Sequence, residues 1–317
     1  MPLLRALPNP RSMGLQGPMW CTASSGNSMD ANTQLNERSL SDVWDELHAT
    51  TTEDNPLVAD SNRLAFADPE FMFRRETRGI RFQLELLKPE MGQASQGIEN
   101  TVVVYGSARC VAPDEAAEQL RDALASQDSA RIALAERAVR SARHYDHARQ
   151  FARLVAAHGN RLPPDQRMYI CTGGGPGIME AANRGASDEN ALNVGLNIVL
   201  PHEQGGNRFI TPTLSFKFHY FALRKMHFMM RAKALVAFPG GFGTMDELFE
   251  VLTLVQTGKA KAVPIVLFGT EFWKRAINFD ALVEEGTISP DNLDLFHYTD
   301  DPQEAWDYIC AFYKIDC

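Results

Sequence analysis

Two glycine-rich turns, each entered from a short apolar run and left into a helical pattern, constrain this chain more than any other feature. The first is Thr172-Gly-Gly-Gly-Pro-Gly177, preceded by Met168-Tyr-Ile-Cys171 and followed by Ile-Met-Glu-Ala-Ala. The second is Pro239-Gly-Gly-Phe-Gly-Thr244, preceded by Ala234-Leu-Val-Ala-Phe238 and followed by Met-Asp-Glu-Leu-Phe. Glycine lets the backbone turn sharply and come close to an anion. The helix behind such a turn presents free N–H groups and a partial positive charge. One turn of this kind is as readily a plain connection as a phosphate cradle; two, at the ends of two strands, favour a ligand. Neither is followed by the Lys-Ser/Thr of a P-loop, and neither has the spaced GxGxxG of a dinucleotide site. ATP hydrolysis and NAD redox chemistry are therefore disfavoured.

Around these turns the pattern alternates. Thr101–Tyr105, Met168–Thr172, Asn193–Leu200, Ala234–Phe238 and Ala262–Phe268 read as buried strands, and residues 114–158 read as long helices. Such alternation predicts an α/β fold, a parallel sheet with helices on both faces. A third turn, Gly106-Ser-Ala-Arg109, follows the first strand. Ser107 there is either a ligand contact or a simple turn or cap. Residues 1–60 are rich in Ser, Asn, Thr, Pro and Asp with little apolar periodicity, and are expected to be a disordered extension. From Pro69 to Leu87 apolar residues alternate with Arg and Glu, so 61–100 is expected to be a helical extension that covers a sheet face or a partner subunit. The domain proper is expected over 101–317.

The chain has 317 residues, 44% of them hydrophobic, and a net charge of −9 without a run of five basic residues. Nucleic acid is not an expected partner. Five cysteines without a CxxC pair argue against a disulfide framework and a structural zinc site. No long apolar stretch and no secretory leader pattern is seen, so a cytoplasmic protein with no membrane partner is expected. No metal or cofactor is implied.

Two charged positions bear on chemistry. Arg224 and Lys225 are adjacent cations in the helical segment Phe221–Arg231, and as an isolated pair they would be a solvated, snorkelling feature. Thr244 and Glu247 have the spacing of a capping box, which alone would explain both. Yet a carboxylate beside a phosphate cradle is electrostatically odd unless something cation-like binds too, and an oxocarbenium-like sugar meets that need.

These segments together resemble the LOG ("Lonely Guy") phosphoribohydrolase family, whose members were often labelled lysine decarboxylases. The signature PGGxGTxxE is matched completely by Pro239-Gly-Gly-Phe-Gly-Thr-Met-Asp-Glu247. The glycine element is matched by Gly173, Gly174, Gly175 and Gly177, and the Arg-Lys element by Arg224-Lys225. The resemblance runs from about Thr101 to Phe268. It implies a Rossmann-like, doubly wound fold, a homo-oligomer, and hydrolysis of a nucleoside 5′-monophosphate to free base and ribose 5-phosphate. It further implies Arg224 and Glu247 as catalytic residues. Gly240, Gly241, Gly243 and Thr244 would form the phosphate loop, with Ser107, Gly173, Gly174, Gly175 and Lys225 as further substrate contacts. Glu180, Ala222-Leu223 and the Leu200–Asn207 segment depart from the plant cytokinin-activating type and look more like the longer bacterial branch, which leaves the base open. A non-catalytic nucleotide sensor or carrier of the same fold is the alternative reading.

Overall fold

The computed structural model describes residues 63–200 and 205–316. The chain divides after Pro69 into two units. The first lies almost wholly outside the described residues, and with it the expected disordered extension 1–60. From that boundary onward, the element order is α1 (Pro69–Met72), α2 (Arg78–Ser95), β1 (Thr101–Tyr105), α3 (Pro113–Ser126), α4 (Ser129–Gly159), β2 (Tyr169–Thr172), α5 (Ile178–Asp188), β3 (Asn193–Ile198) and β4 (Ser215–Phe218). It continues through α6 (Phe221–Met230), β5 (Ala232–Ala237), α7 (Phe242–Gln256), β6 (Ile265–Phe268), α8 (Thr270–Ala276), α9 (Phe279–Glu284), β7 (Phe296–Thr299) and α10 (Pro302–Tyr313).

The seven strands form one sheet in the order β4-β3-β2-β1-β5-β6-β7, and every neighbouring pair is parallel. The fold is the expected doubly wound Rossmann-like α/β sheet. β1 illustrates why: all five of its residues are buried, and successive side chains point to opposite faces. Val102 and Val104 pack with Tyr145 and Phe151 of α4, Ile178 of α5 and Trp306 of α10. Val103 and Tyr105 pack on the other face with Phe228 of α6, Leu248 of α7 and Trp273 of α8.

The edge strands β4 and β7 were not among the five expected. β4 is Ser-Phe-Lys-Phe with alternating exposure, and β7 is Phe-His-Tyr-Thr. Four residues with a polar residue at every other place carry little apolar signal. Residues 114–158 fall in two helices, α3 and α4. The break falls at Gln127, which ends α3 in the left-handed region, and at Asp128, whose side chain accepts from the backbone N–H groups of Ala130 and Arg131 to start α4.

Helix α2 packs against α6 and the turn that leads into β4. Arg231, at the entry to β5, donates from Nη1 and Nη2 to the two oxygens of Glu90 at 2.6 and 2.8 Å, and from Nε to the Ile98 carbonyl. Glu85 accepts from the backbone N–H groups of His219 and Tyr220. The outer row of the helix, Ile80, Leu84, Leu87 and Met91, is exposed.

Cys110 and Cys171 are buried free thiols. Cys310 is disulfide-bonded. Among the described residues no helix is long and apolar enough to cross a membrane.

Candidate active site

The chain runs from β1 outward to β4, then returns to the other side of β1 as β5. Strand order therefore reverses between β1 and β5, and in open α/β sheets the crevice beyond the carboxyl ends at such a point takes the ligand. Here that crevice is a cavity of about 650 Å³. Into it open the turns after β1, β2 and β5, each of them marked by its residue pattern.

The turn after β5 leads into α7, whose N-cap is Gly241 and whose first turn has no side-chain cap. The capping-box reading of Thr244 and Glu247 is thus corrected: the helix begins at Phe242, two residues before Thr244, so both lie inside it. The consequence is chemical, since first-turn N–H groups without a side-chain partner are free to bind an anion. Gly241, Phe242, Gly243 and Thr244 all line the cavity. A Cβ at Gly241 or Gly243 would meet nothing within 4 Å, whereas one at Gly240 would run into the Thr244 side chain. Gly241 and Gly243 thus leave room for a ligand, and Gly240 serves the turn's own closure. Phe242 is 95% exposed, so it is not a packing residue of this chain's core.

Glu247 lies one helical turn beyond Gly243, about 6 Å along the axis and on the same face. It is 7% exposed and lines the cavity. Burial pushes its carboxyl up to about 7, against a lowering pull from Arg224 and Lys225. Arg224 projects from α6, with Nη1 3.7 Å from Glu247 Oε1. Its Nε donates to the Leu196 carbonyl at 2.7 Å, and the guanidinium lies over the Phe228 ring at 5.0 Å. The two expected catalytic residues are therefore brought together, nearly buried, from helices on one face of the sheet.

The turn after β2 does different work. Gly174 N–H donates to Thr172 Oγ1 at 2.9 Å, and Asn207 Nδ2 donates to the carbonyls of Gly174 and Gly175. Gly174 has φ +74°, and a Cβ there would strike Asn197. At Gly173 a Cβ would collide with Arg224 Nη2 and lie 2.8 Å from Met179 Sδ. The N–H of Ile178, first in α5, donates to the Ser107 carbonyl. This turn is a packed junction that shelves Arg224; Gly173 and Gly175 line the cavity and Gly174 does not.

Ser107 also lines the cavity, while its Oγ accepts from the Arg109 N–H at 3.1 Å. Lys225 turns away: Nζ is 2.8 Å from both Asp246 Oδ2 and Glu250 Oε2, and it is not among the lining residues. Sequence reasoning missed Tyr105, Asn197 and Lys217, which line the cavity as well. Tyr105 is the most notable. Its hydroxyl is buried without a hydrogen-bond partner among the described residues, and burial with the nearby Glu247 charge holds its pKa well above the usual phenol value. Its position, last in β1 and directly before Gly106, was the available signal.

Comparison with known proteins matches this region. A family model described as "Possible lysine decarboxylase" covers residues 179–309, and so includes Arg224 and Glu247. Cytokinin riboside 5′-monophosphate phosphoribohydrolase LOG3 of Arabidopsis thaliana is 29% identical over 136 residues, 42% of this chain and 61% of that protein. LOG7 of Arabidopsis thaliana, of the same description, is 30% identical over 138 residues, with the same two coverages. Over this region the chain is similar to LOG phosphoribohydrolases. It matches about three-fifths of the length of these two curated relatives. Among solved structures, a molybdenum cofactor carrier protein from Chlamydomonas reinhardtii aligns at 18% identity and a TM-score of 0.41, over 68% of this chain and 99% of that one. That likeness is too loose to bear on activity.

Proposed function

We propose that this protein hydrolyses the N-glycosidic bond of a nucleoside 5′-monophosphate, releasing the base and ribose 5-phosphate. The observation that carries the reading is the juxtaposition, in one cavity, of an uncapped helix N-terminus and a buried carboxylate one turn further along the same helix. The N–H groups around Gly241 and Gly243 take the phosphate dianion, where the helix dipole favours it. Glu247 then faces the sugar. As the C1′–N bond breaks, its electron pair passes to the base, which leaves with a proton, and water adds at C1′. Positive charge develops on the ring at that moment, and an ionised Glu247 in a site of low dielectric stabilises it and orients the water. Arg224 keeps the carboxylate in place and, near pH 7, favours its ionised form. The sequence relatives named phosphoribohydrolases support the same reading.

The test is a panel of nucleoside 5′-monophosphates, with released base read by chromatography. AMP is expected to turn over and adenosine to be a poor substrate, because loss of the phosphate forfeits binding energy that positions the sugar. Adenosine matching AMP in kcat/KM would overturn the phosphate assignment. Binding of every nucleotide without release of base would leave a nucleotide carrier instead. Cytoplasmic, homo-oligomeric operation completes the proposal, and gel filtration against a mass standard tests the second part.

A further inference from the structure

Behind the Pro239–Gly240 turn lies a second cavity, of about 1030 Å³. Its floor is the carboxyl end of the sheet, with Pro239 and Gly240 after β5 and Gly269 after β6; its wall is one face of α4. Arg137, Arg140 and Arg143 project from that face, and Arg109 and Arg275 complete the lining. Five guanidinium groups are thus gathered against two lining carboxylates, Glu271 and Asp300, on a chain whose net charge is −9. Those carboxylates are already occupied: Glu271 pairs with Arg275, and Asp300 Oδ1 accepts from the Thr270 N–H. Arg109, Arg140 and Arg143 have no side-chain hydrogen bond or ion pair among the described residues. Arg137, Arg140 and Arg143 are solvent-exposed; like charges three apart on a helix repel weakly, and a bound anion relieves that repulsion.

His144 lines the cavity, is 9% exposed, and its buried Nδ1 has no hydrogen-bond partner among the described residues. Burial, with Arg143 adding to it, lowers its pKa to about 4, so at neutral pH the ring is uncharged and adds no further repulsion.

We propose that this second cavity binds a polyanion built on a chain of phosphates, carrying three or more negative charges, at a site separate from the nucleoside monophosphate site. Its volume accommodates a nucleoside triphosphate, at the upper end of small-molecule pockets. Guanidinium forks suit phosphate oxygens. The two cavities share Ser107 and Arg109, with the Pro239–Gly241 turn between them.

The test is calorimetric titration of the full chain with inorganic tripolyphosphate and with ATP, each with and without saturating AMP. One equivalent is expected to bind whether or not AMP is present. Tighter binding of ATP would assign a nucleotide, and equal binding the phosphate chain alone; both support the site. The double variant Arg140→Ala/Arg143→Ala is expected to weaken tripolyphosphate about 100-fold, as two charge-assisted contacts would, with AMP binding and the melting temperature unchanged. If that variant melts early, Arg140→Gln alone serves, with about tenfold weakening expected. No binding at millimolar concentration would overturn the proposal. So would binding that AMP displaces completely and the arginine variants leave untouched, since the anion would then occupy the α7 N-terminus.

Discussion

Glu247 is held by a protein that makes its charge costly. The native state binds its proton up to about pH 7, against an ordinary value of 4.5. Between those two values the folded form holds more protons than the unfolded one, so this residue's contribution to stability falls as pH rises and is flat above about 7. Glu247→Gln lacks that loss. Across this window its stability relative to the parent should improve by up to about 2–3 kcal/mol, measured by denaturant titration at pH 4.5 and pH 8; a pH-independent difference would refute the assignment. Turnover should move the other way. Parent kcat/KM should rise through about pH 7 as the carboxylate ionises, and Glu247→Gln should lose about 10²–10³-fold, as removal of a charge stabiliser does. Gly173 is a positioning residue by the same geometry. Gly173→Ala would push the Arg224 guanidinium off its shelf, so kcat should fall while the melting curve changes little; full activity would show that Arg224 settles elsewhere without consequence.

At the scale of elements, α6 supplies two neighbouring cations to different purposes. Arg224 reaches Glu247 and the Leu196 carbonyl, whereas Lys225 ties α6 to α7 through Asp246 and Glu250. Arg224→Ala should therefore reduce kcat/KM well beyond Lys225→Ala, which acts only by loosening the helix pair; equal small effects in steady-state kinetics would refute this division. The attachment of α2 has its own anchor in the buried Arg231 and Glu90. Arg231→Met leaves the Ile98 carbonyl and a partly buried carboxylate without their donor, and should cost about 2 kcal/mol in chemical denaturation. A loss under about 0.5 kcal/mol would mean that apolar contacts alone hold α2.

For the molecule as a whole, the sheet's reversal of strand order between β1 and β5 gathers the turns into one crevice, and the candidate site residues all fall between residues 105 and 247. Removing residues 1–60 should accordingly leave kcat/KM for AMP within about twofold. An inactive truncation that still folds by circular dichroism would show that this segment contributes to the site.

The parallel sheet and the glycine turn after β5 are legible in the residue pattern alone. Apolar runs with β-branched residues, alternating with helical patterns, suffice for a parallel sheet, because a strand buried on both faces leaves no place for polar residues. The PGGxGTxxE spacing puts Gly243 and Glu247 on one helix face through the 3.6-residue period. What the chain order does not convey is which local explanation wins. Thr244 and Glu247 have capping-box spacing, but the helix starts at Phe242, and only the tertiary fold sets that start. The two glycine turns look alike as residue strings; packing makes the one after β2 a shelf for Arg224 and leaves the one after β5 open. Tyr105, far from Glu247 in the chain, comes near it only through pairing of β1 with β5. Burial and proximity between distant residues, and the pKa values that follow from them, arise when the sheet assembles, so they belong to the tertiary structure.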